Sequence, residues 1–570
     1  MFLSADRKMH SPGNKAVLVA ASVLAALALL FMGRCIWLME RGFDLTDESF
    51  YLMMSKEPER YDLFFGLFGY GLHPLFELSG GAIVWMRRIG AIILIGAGAF
   101  VGSVAAGGTK KTISGVLLIT AAAFTSVIYY HPWIPMPSYN WLLAIASYPL
   151  FASVLLLRHE RNFVWSALAA GVAAVLVAFT RPQNALAFGA IYAVAGCLAI
   201  SGWKSRVNQA LRVSGFIAVL LVPCLLLLPV STILEQIRIY TSIFGMSHPI
   251  QFSILQQQIE FVSSSWFWFM SIVLFVAAFI LRDTGHMRLK VPFAILASVL
   301  IGIALIDGPH SLWSLAIGTR PGAIAWCLLA ICCWEKNVDS RLVLLLAVSG
   351  LIPWAATVGG AASVGNQLMF FSGISLFIAI VATSLAAQRS TFVTLSAVSA
   401  ALFLSYSSVR AGLARPYRLA APIDMQTQPV TIGGHEVLVD ERTRDFVETL
   451  QADARAAGFC PGEDAIDLSG SIPGAVIAIG GRQPVFPWLF TGYPFSQHLA
   501  RSYLALLGSG RLARSWLLMS RTQNSFTMEQ WQSLGVNFDD YRLVGVARHP
   551  VDSTEVTLFA PRNPERSCAG

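Results

Sequence analysis

The chain has 570 residues, with 40 Lys and Arg against 32 Asp and Glu, for a formal net charge of +8. Apolar residues make up 55% and charged residues only 13%, about half the charged share usual in a soluble globular domain. One core cannot hide that much apolar surface, and the basic residues cluster between apolar segments, which excludes a soluble enzyme and a nucleic-acid-binding role.

Apolar segments of membrane-spanning length are expected near 16–38, 82–106, 112–130, 140–157, 163–180, 184–201, 213–230, 265–281, 291–306, 321–334, 341–358, 366–387 and 391–408. The first, from Lys15 to Leu38, is too long for a signal peptide and lacks a small-residue cleavage site, so it reads as a retained anchor. Positive charge marks every second connection: Lys110 and Lys111, Arg158 and Arg161, Lys204 with Arg206 and Arg212, Arg282 with Arg288 and Lys290, and Lys336 with Arg341. Arg7, Lys8 and Lys15 mark the N-terminus in the same way. The positive-inside rule places these in the cytoplasm, and an odd number of spans then leaves the C-terminus outside. The opposite connections carry little positive charge: His131 to Tyr139 has none, and Ser231 to Ser264 has only Arg238. Arg410, Arg415 and Arg418 run against the pattern, because they follow the last span while only Arg389 marks its cytoplasmic end.

From about Arg410 the composition becomes that of a soluble domain. Arg442 to Ala457 reads as an amphipathic helix, and Ala465–Leu468, Trp516–Met519, Tyr541–Val546 and Val556–Phe559 read as strands. The expected fold is therefore mainly α: a polytopic helical membrane region of about thirteen spans at 1–409, followed by a small extracytoplasmic α/β domain at 410–570. Cys460 and Cys568 belong to that domain and could pair in an oxidising compartment. The other six cysteines lie in or beside apolar segments and read as small apolar residues. No glycine-rich phosphate loop, CxxC pair or HExxH motif occurs, and no His and acid spacing indicates a metal site.

Chemistry concentrates in the first outer connection, Glu40 to Gly81. It opens with Asp44-Leu45-Thr46-Asp47-Glu48-Ser49-Phe50-Tyr51 and turns aromatic through Leu63 to Tyr70. An amphipathic helix in the membrane interface is expected here, with Asp44 as its N-cap and Asp47 and Glu48 in its first turn. The acids either favour the helix dipole or present a carboxylate that takes a proton from an acceptor hydroxyl. Beyond this loop, Thr180-Arg181-Pro182 and Thr319-Arg320-Pro321 each combine a possible N-cap Thr, an Arg and an early Pro. A helix start with a guanidinium suits an anion, although Arg181 and Arg320 could equally snorkel to lipid headgroups. Arg87 and Arg88 are similar candidates on the same side. His248, His310 and Asn366 lie near outer span ends, and Trp266, Trp268 and Trp313 read as an interfacial belt.

The acidic Asp-Glu-x-x-Tyr run after the first span resembles the GT-C superfamily of membrane glycosyltransferases. The likeness is to bacterial relatives of protein O-mannosyltransferases and of the aminoarabinose and galacturonic-acid transferases of lipid A. His73-Pro74-Leu75, Gly80-Gly81, Met86-Arg87-Arg88-Ile89-Gly90 and Pro137-Ser138-Tyr139-Asn140-Trp141 fit the same pattern. The resemblance implies transfer of a sugar from a polyprenyl-phosphate donor to a glycan, lipid or protein acceptor, with inversion, in a bacterial inner membrane. It maps the catalytic acid onto Asp47, with Glu48 as its neighbour, and makes Arg181, Arg320, Arg87 and Arg88 candidate ligands of the donor phosphate. Many relatives carry a second acid in the next outer loop; here His131, Tyr139 or Asn140 would stand in for it. No cofactor is implied, and a divalent metal stays open. The alternative is a transporter or flippase for a lipid-linked saccharide, but the polar candidates sit at one face and mid-depth charge is scarce. A purely structural role leaves the acidic loop unexplained.

Overall fold

The computed structural model describes residues 12–562 except 62–66, 108–111, 245–255, 257–258, 262–264, 283–288, 307–315, 336, 359–363, 389, 470–471, 488–495 and 521–527. His248, His310, Trp313, Lys110, Lys111, Arg288, Lys336, Arg389 and Cys568 thus lie outside the described residues. Each of the thirteen apolar segments contributes helix. In chain order the helices are α1 (Pro12–Trp37), α2 (Asp47–Lys56), α3 (Phe68–Leu78), α4 (Ile83–Ala106), α5 (Ile113–Ser126), α6 (Tyr139–Leu156), α7 (Phe163–Ala178) and α8 (Pro182–Ala199). There follow α9 (Trp203–Leu227), α10 (Val230–Phe244), α11 (Trp266–Leu281), α12 (Lys290–Ile306), α13 (Arg320–Cys332), α14 (Ser340–Ser349), α15 (Ile352–Thr357), α16 (Val364–Ala386) and α17 (Thr391–Ala414).

Among the described residues nine helical stretches are long and apolar enough to cross a membrane, and four more are apolar but shorter. Helix α9 shows why lipid must surround them. None of its most apolar window is buried, and Leu226 and Leu227 are 80% and 87% exposed. Water would penalise such a surface by about 25 cal/mol per Å², whereas hydrocarbon does not. The chain is a multi-pass membrane protein. Within the bundle, small residues let backbones close. A Cβ on Gly98 would sit 2.5 Å from the Ala122 carbonyl oxygen, and one on Gly102 2.7 Å from Ile119 Cα, so this glycine pair, four apart on α4, docks α5. The 341–358 segment is broken into α14 and α15, with Pro353 just past the break, where it cannot donate to the preceding turn.

Helix α17 continues to Ala414, so Arg410 ends up inside a helix, and the soluble part begins beyond it. A hairpin, β1 (Gln428–Ile432) and β2 (His435–Val439), leads into α18 (Glu441–Ala456). Then come β3 (Ala465–Asp467), α19 (Pro473–Ala478), α20 (Ser496–Leu507), α21 (Ser509–Leu512), β4 (Trp516–Ser520), α22 (Met528–Gln532), β5 (Tyr541–Arg548) and β6 (Glu555–Pro561). The sheet runs β3-β4-β6-β5, with β3 and β4 parallel and the other pairs antiparallel. The helix and four strands expected from periodicity are all present. The hairpin is an addition, and its signal was Gly433-Gly434: both have positive φ, at +60° and +86°, as a two-residue turn between paired strands requires. Cys460 is disulfide-bonded.

The soluble domain is seated on the first loop. The Gly42 N–H donates to the Leu438 carbonyl at 2.7 Å, so the loop adds a bridge to the edge of β2. The Gly474 N–H at the start of α19 donates to the Leu45 carbonyl at 2.9 Å. One apolar core runs without a break from the bundle through Phe43 and Leu45 to Val437 and Val476, while Leu504, Leu517 and Trp531 belong to a second core within the domain.

Candidate active site

The first loop leaves α1 through a short 3-10 turn, runs extended from Arg41, and forms α2 at Asp47. The interfacial helix expected here is instead an interior one: Asp47 through Ser55 are all buried, because the soluble domain covers the side that would have faced water. Asp44 is not the N-cap. Its carboxylate accepts from the Thr46 N–H at 2.9 Å and the Thr46 hydroxyl at 2.7 Å, and that Asx-type turn delays the helix until Thr46 takes the cap position. Asp44 also joins Glu48 reciprocally: the Asp44 N–H donates to Glu48 Oε2 at 3.1 Å, and the Glu48 N–H to Asp44 Oδ2 at 3.3 Å.

Glu48 and Arg87 form a pair with 1% and 0% side-chain exposure. Arg87 Nε donates to Glu48 Oε1 at 2.6 Å, and its two terminal nitrogens donate to the carbonyls of Met39 and Gly42 at 2.7 and 2.8 Å. Every arm of this guanidinium is spent on the loop that holds Asp47. Burial pushes the Glu48 carboxyl above its usual range, with Arg87 opposing the shift. Arg88 is also engaged, donating to Glu40 Oε2 at 2.8 Å and lying over the Trp85 ring.

Asp47 is held differently. Its partners come from the connector after α17, some 370 residues along the chain. Arg418 Nη1 stands 3.5 Å from Asp47 Oδ2 and donates to the Thr46 hydroxyl at 2.8 Å, while the Tyr417 phenol hydrogen-bonds the carboxylate. Arg418 adopts a left-handed φ of +51°, a cost accepted where the connector must turn its guanidinium onto the loop. Burial, then the Asp44 charge, raise the Asp47 pKa to about 7, with Arg418 and Tyr417 pulling the other way. A carboxylate poised near neutrality suits general-base work.

One turn along α2, Tyr51 carries the site onward. Its ring meets Tyr139 edge-on at 5.7 Å, and the Arg181 guanidinium lies over the Tyr139 ring at 4.6 Å. Arg181 Nη1 donates to Gln367 Oε1 on α16 at 2.9 Å. Asp47, Tyr139 and Arg181 are thus linked through Tyr51. Asn140 follows Tyr139 at the start of α6, buried with an Oδ1 that has no partner among the described residues. His131 is fixed by the Ser408 carbonyl of α17 at 3.1 Å, and a Cβ on Gly412 would clash with the His131 carbonyl oxygen. Arg320 begins α13 with Thr319 as N-cap, though the Thr319 side chain makes no capping hydrogen bond. Thr180 bonds back to the Val177 carbonyl, so Arg181 rather than Thr180 is the N-cap of α8, with Pro182 at its first position as expected. Trp268 is no belt residue: it is buried against Gly322, where a Cβ would come within 2.6 Å of its indole nitrogen.

Sequence reasoning missed Tyr417, Arg418 and Gln367. Arg418 did leave a trace, as a positive charge on the wrong side of the last span. Among the described residues no group of three or more His, Cys, Asp or Glu comes together to hold a metal ion.

No protein-family model matches the chain, and no curated protein does. Among solved structures it is similar to the crystal structure of ArnT from Cupriavidus metallidurans in the apo state. That match has 12% identity and a TM-score of 0.41, and covers 95% of this chain and 98% of the other. The crystal structure of the same protein bound to undecaprenyl phosphate gives 12% identity and a TM-score of 0.39, over 94% and 97% of the two chains.

Proposed function

We propose that this protein is a membrane glycosyltransferase that moves a sugar from a polyprenyl-phosphate carrier to a hydroxyl-bearing acceptor. The observation that carries the reading is the buried Asp47 carboxylate, poised near neutrality between Asp44 and the Arg418–Tyr417 connector. Asp47 takes the acceptor hydroxyl proton as the oxygen attacks the anomeric carbon, whose bond to the carrier phosphate breaks with inversion. The lipid phosphate leaves as an anion. Arg181, stacked on Tyr139 and steadied by Gln367, is the guanidinium proposed to receive it, with Arg320 as a second candidate. Glu48, Arg87 and Arg88 brace the loop. Tyr139 and Asn140 border the sugar, and the unpaired Asn140 Oδ1 supports a role in accepting a hydrogen bond. His131, held by α17, shapes the second loop.

This reading puts the loop and the soluble domain on the extracytoplasmic side of a bacterial inner membrane. The deciding experiment is Asp47→Asn in transfer assays with polyprenyl-phosphate sugars. The rate is expected to fall about 10²–10⁴-fold while the folded yield is kept. Undiminished transfer by the well-folded variant would remove Asp47 as the base.

A further inference from the structure

Of the three arginines that run against the charge pattern, Arg418 is spent on the Asp47 loop, but Arg410 and Arg415 are not. Arg410 is exposed one turn before the end of α17, and Arg415 is exposed just past it. Neither side chain makes a hydrogen bond or ion pair among the described residues.

Helix α1 brings a matching arginine beside them. It ends at the first loop and α17 ends at the connector into the soluble domain, so the two helices run in the same direction. They touch where the Phe31 ring meets Tyr406 edge-on at 5.0 Å. Arg34 lies three residues beyond Phe31 and Arg410 four beyond Tyr406, about 4.5 and 6 Å further along the two axes. Both arginines therefore stand at one height. Below it each helix turns an apolar face outward with the same spacing. Leu27 and Leu30, 58% and 71% exposed, lead to Arg34, and the exposed rings of Phe403 and Tyr406 lead to Arg410. Trp37 continues the α1 face half exposed, with Arg41 stacked on its ring at 4.6 Å, and such a Trp sits at headgroup level.

Charge at this height is unbalanced. Asp424 is the one carboxylate paired with these arginines among the described residues, 3.5 Å from Arg34 Nη2, and its backbone carbonyl accepts from Arg41 Nη1 at 3.4 Å. Its side chain is 76% exposed, so it holds Arg34 loosely. A single snorkelling arginine accepts any headgroup, whereas guanidiniums gathered from two helices favour an anion and repel a headgroup ammonium.

We propose that the seam between α1 and α17 binds one anionic phospholipid of the leaflet next to the soluble domain. Its phosphate sits between Arg34 and Arg410, with Arg41 and Arg415 flanking, and its acyl chains lie on Leu27, Leu30 and Phe403. The site lies on the lipid-facing side of the bundle and does not depend on the transferase reading.

The test uses the full-length protein in detergent, titrated with dioleoyl phosphatidylglycerol, dioleoyl phosphatidylcholine or inorganic phosphate and read by native mass spectrometry. One phosphatidylglycerol should be retained per chain, about tenfold more tightly than phosphatidylcholine, and Arg34→Gln/Arg410→Gln should weaken it about tenfold or more. The melting temperature in phosphatidylcholine nanodiscs checks that the variant is folded. Arg410→Gln alone, which removes a side chain with no partner, supplies the same comparison if the double variant unfolds. Equal retention of the two lipids, or unchanged phosphatidylglycerol binding by the folded variants, overturns the proposal. So does inorganic phosphate binding as tightly as the lipid, since the apolar faces would then contribute nothing.

Discussion

At the scale of single residues, the first loop uses three acids in three ways. Asp44 builds the turn into α2, Glu48 anchors the loop to α4 through Arg87, and Asp47 is left poised near neutrality. Because burial raises the folded-state pKa of Asp47 above its ordinary 3.8, the folded protein holds a proton that the unfolded chain releases. The stability this group contributes is therefore full below about pH 4 and is lost as pH rises through about 7. A base must be deprotonated, so transfer should rise with pH and level off above about 7. Arg418→Ala removes the opposing charge, which should move that rise to higher pH and cut transfer at neutral pH roughly tenfold. A pH–rate profile of wild type and variant checks both; an unmoved rise would mean that Arg418 does not act on Asp47.

The Glu48–Arg87 pair makes a different demand. Removing either partner strands a charge in a dry interior, so Arg87→Met alone should cost about 3–5 kcal/mol. Replacing both, with Glu48→Gln and Arg87→Met, should cost less than the sum of the single changes. Thermal unfolding of the four proteins in detergent supplies the cycle, and strict additivity would contradict a coupled pair.

At the scale of elements, the loop is fixed by what lands on it. Helix α19 meets it at Gly474, where a Cβ would lie 2.5 Å from the Ser49 hydroxyl and 2.7 Å from Leu45 Cα. The backbone of Leu45 cannot yield as a side-chain tip would. Gly474→Val is expected to lift the soluble domain from the loop, expose the connector to protease and lower transfer by about tenfold or more. Limited proteolysis beside a transfer assay measures this; wild-type resistance and rate would show the seat to be unimportant. The helix and strands of the soluble domain were legible because alternation and 3.6-residue periodicity are local. The start of α2 was not, since an Asx turn at Asp44 and a helix cap there look alike in sequence.

At the scale of the molecule, nine long apolar helices and four shorter ones among the described residues carry one soluble domain. If all thirteen segments cross and the N-terminus is cytoplasmic, a reporter fused after Gly570 should be active as alkaline phosphatase and dark as green fluorescent protein. The reverse pattern would place the loop and its acids in the cytoplasm and remove the polyprenyl-linked donor from reach. Arg418, which ran against the charge pattern, has a local reason to be where it is: its guanidinium is spent on Asp47 and Thr46.

The sequence by itself determined that this is a many-helix membrane protein, because hydropathy and charge act residue by residue along each segment. It also offered Asp47, Tyr139 and Arg181 as candidates, because their residue types at segment ends are legible there. Only the tertiary structure decided which partner each acid meets. That choice turns on Arg87 reaching Glu48 across 39 residues and Arg418 reaching Asp47 from the far end of the bundle. The desolvation that raises the Asp47 pKa likewise exists only once the soluble domain has closed over the loop.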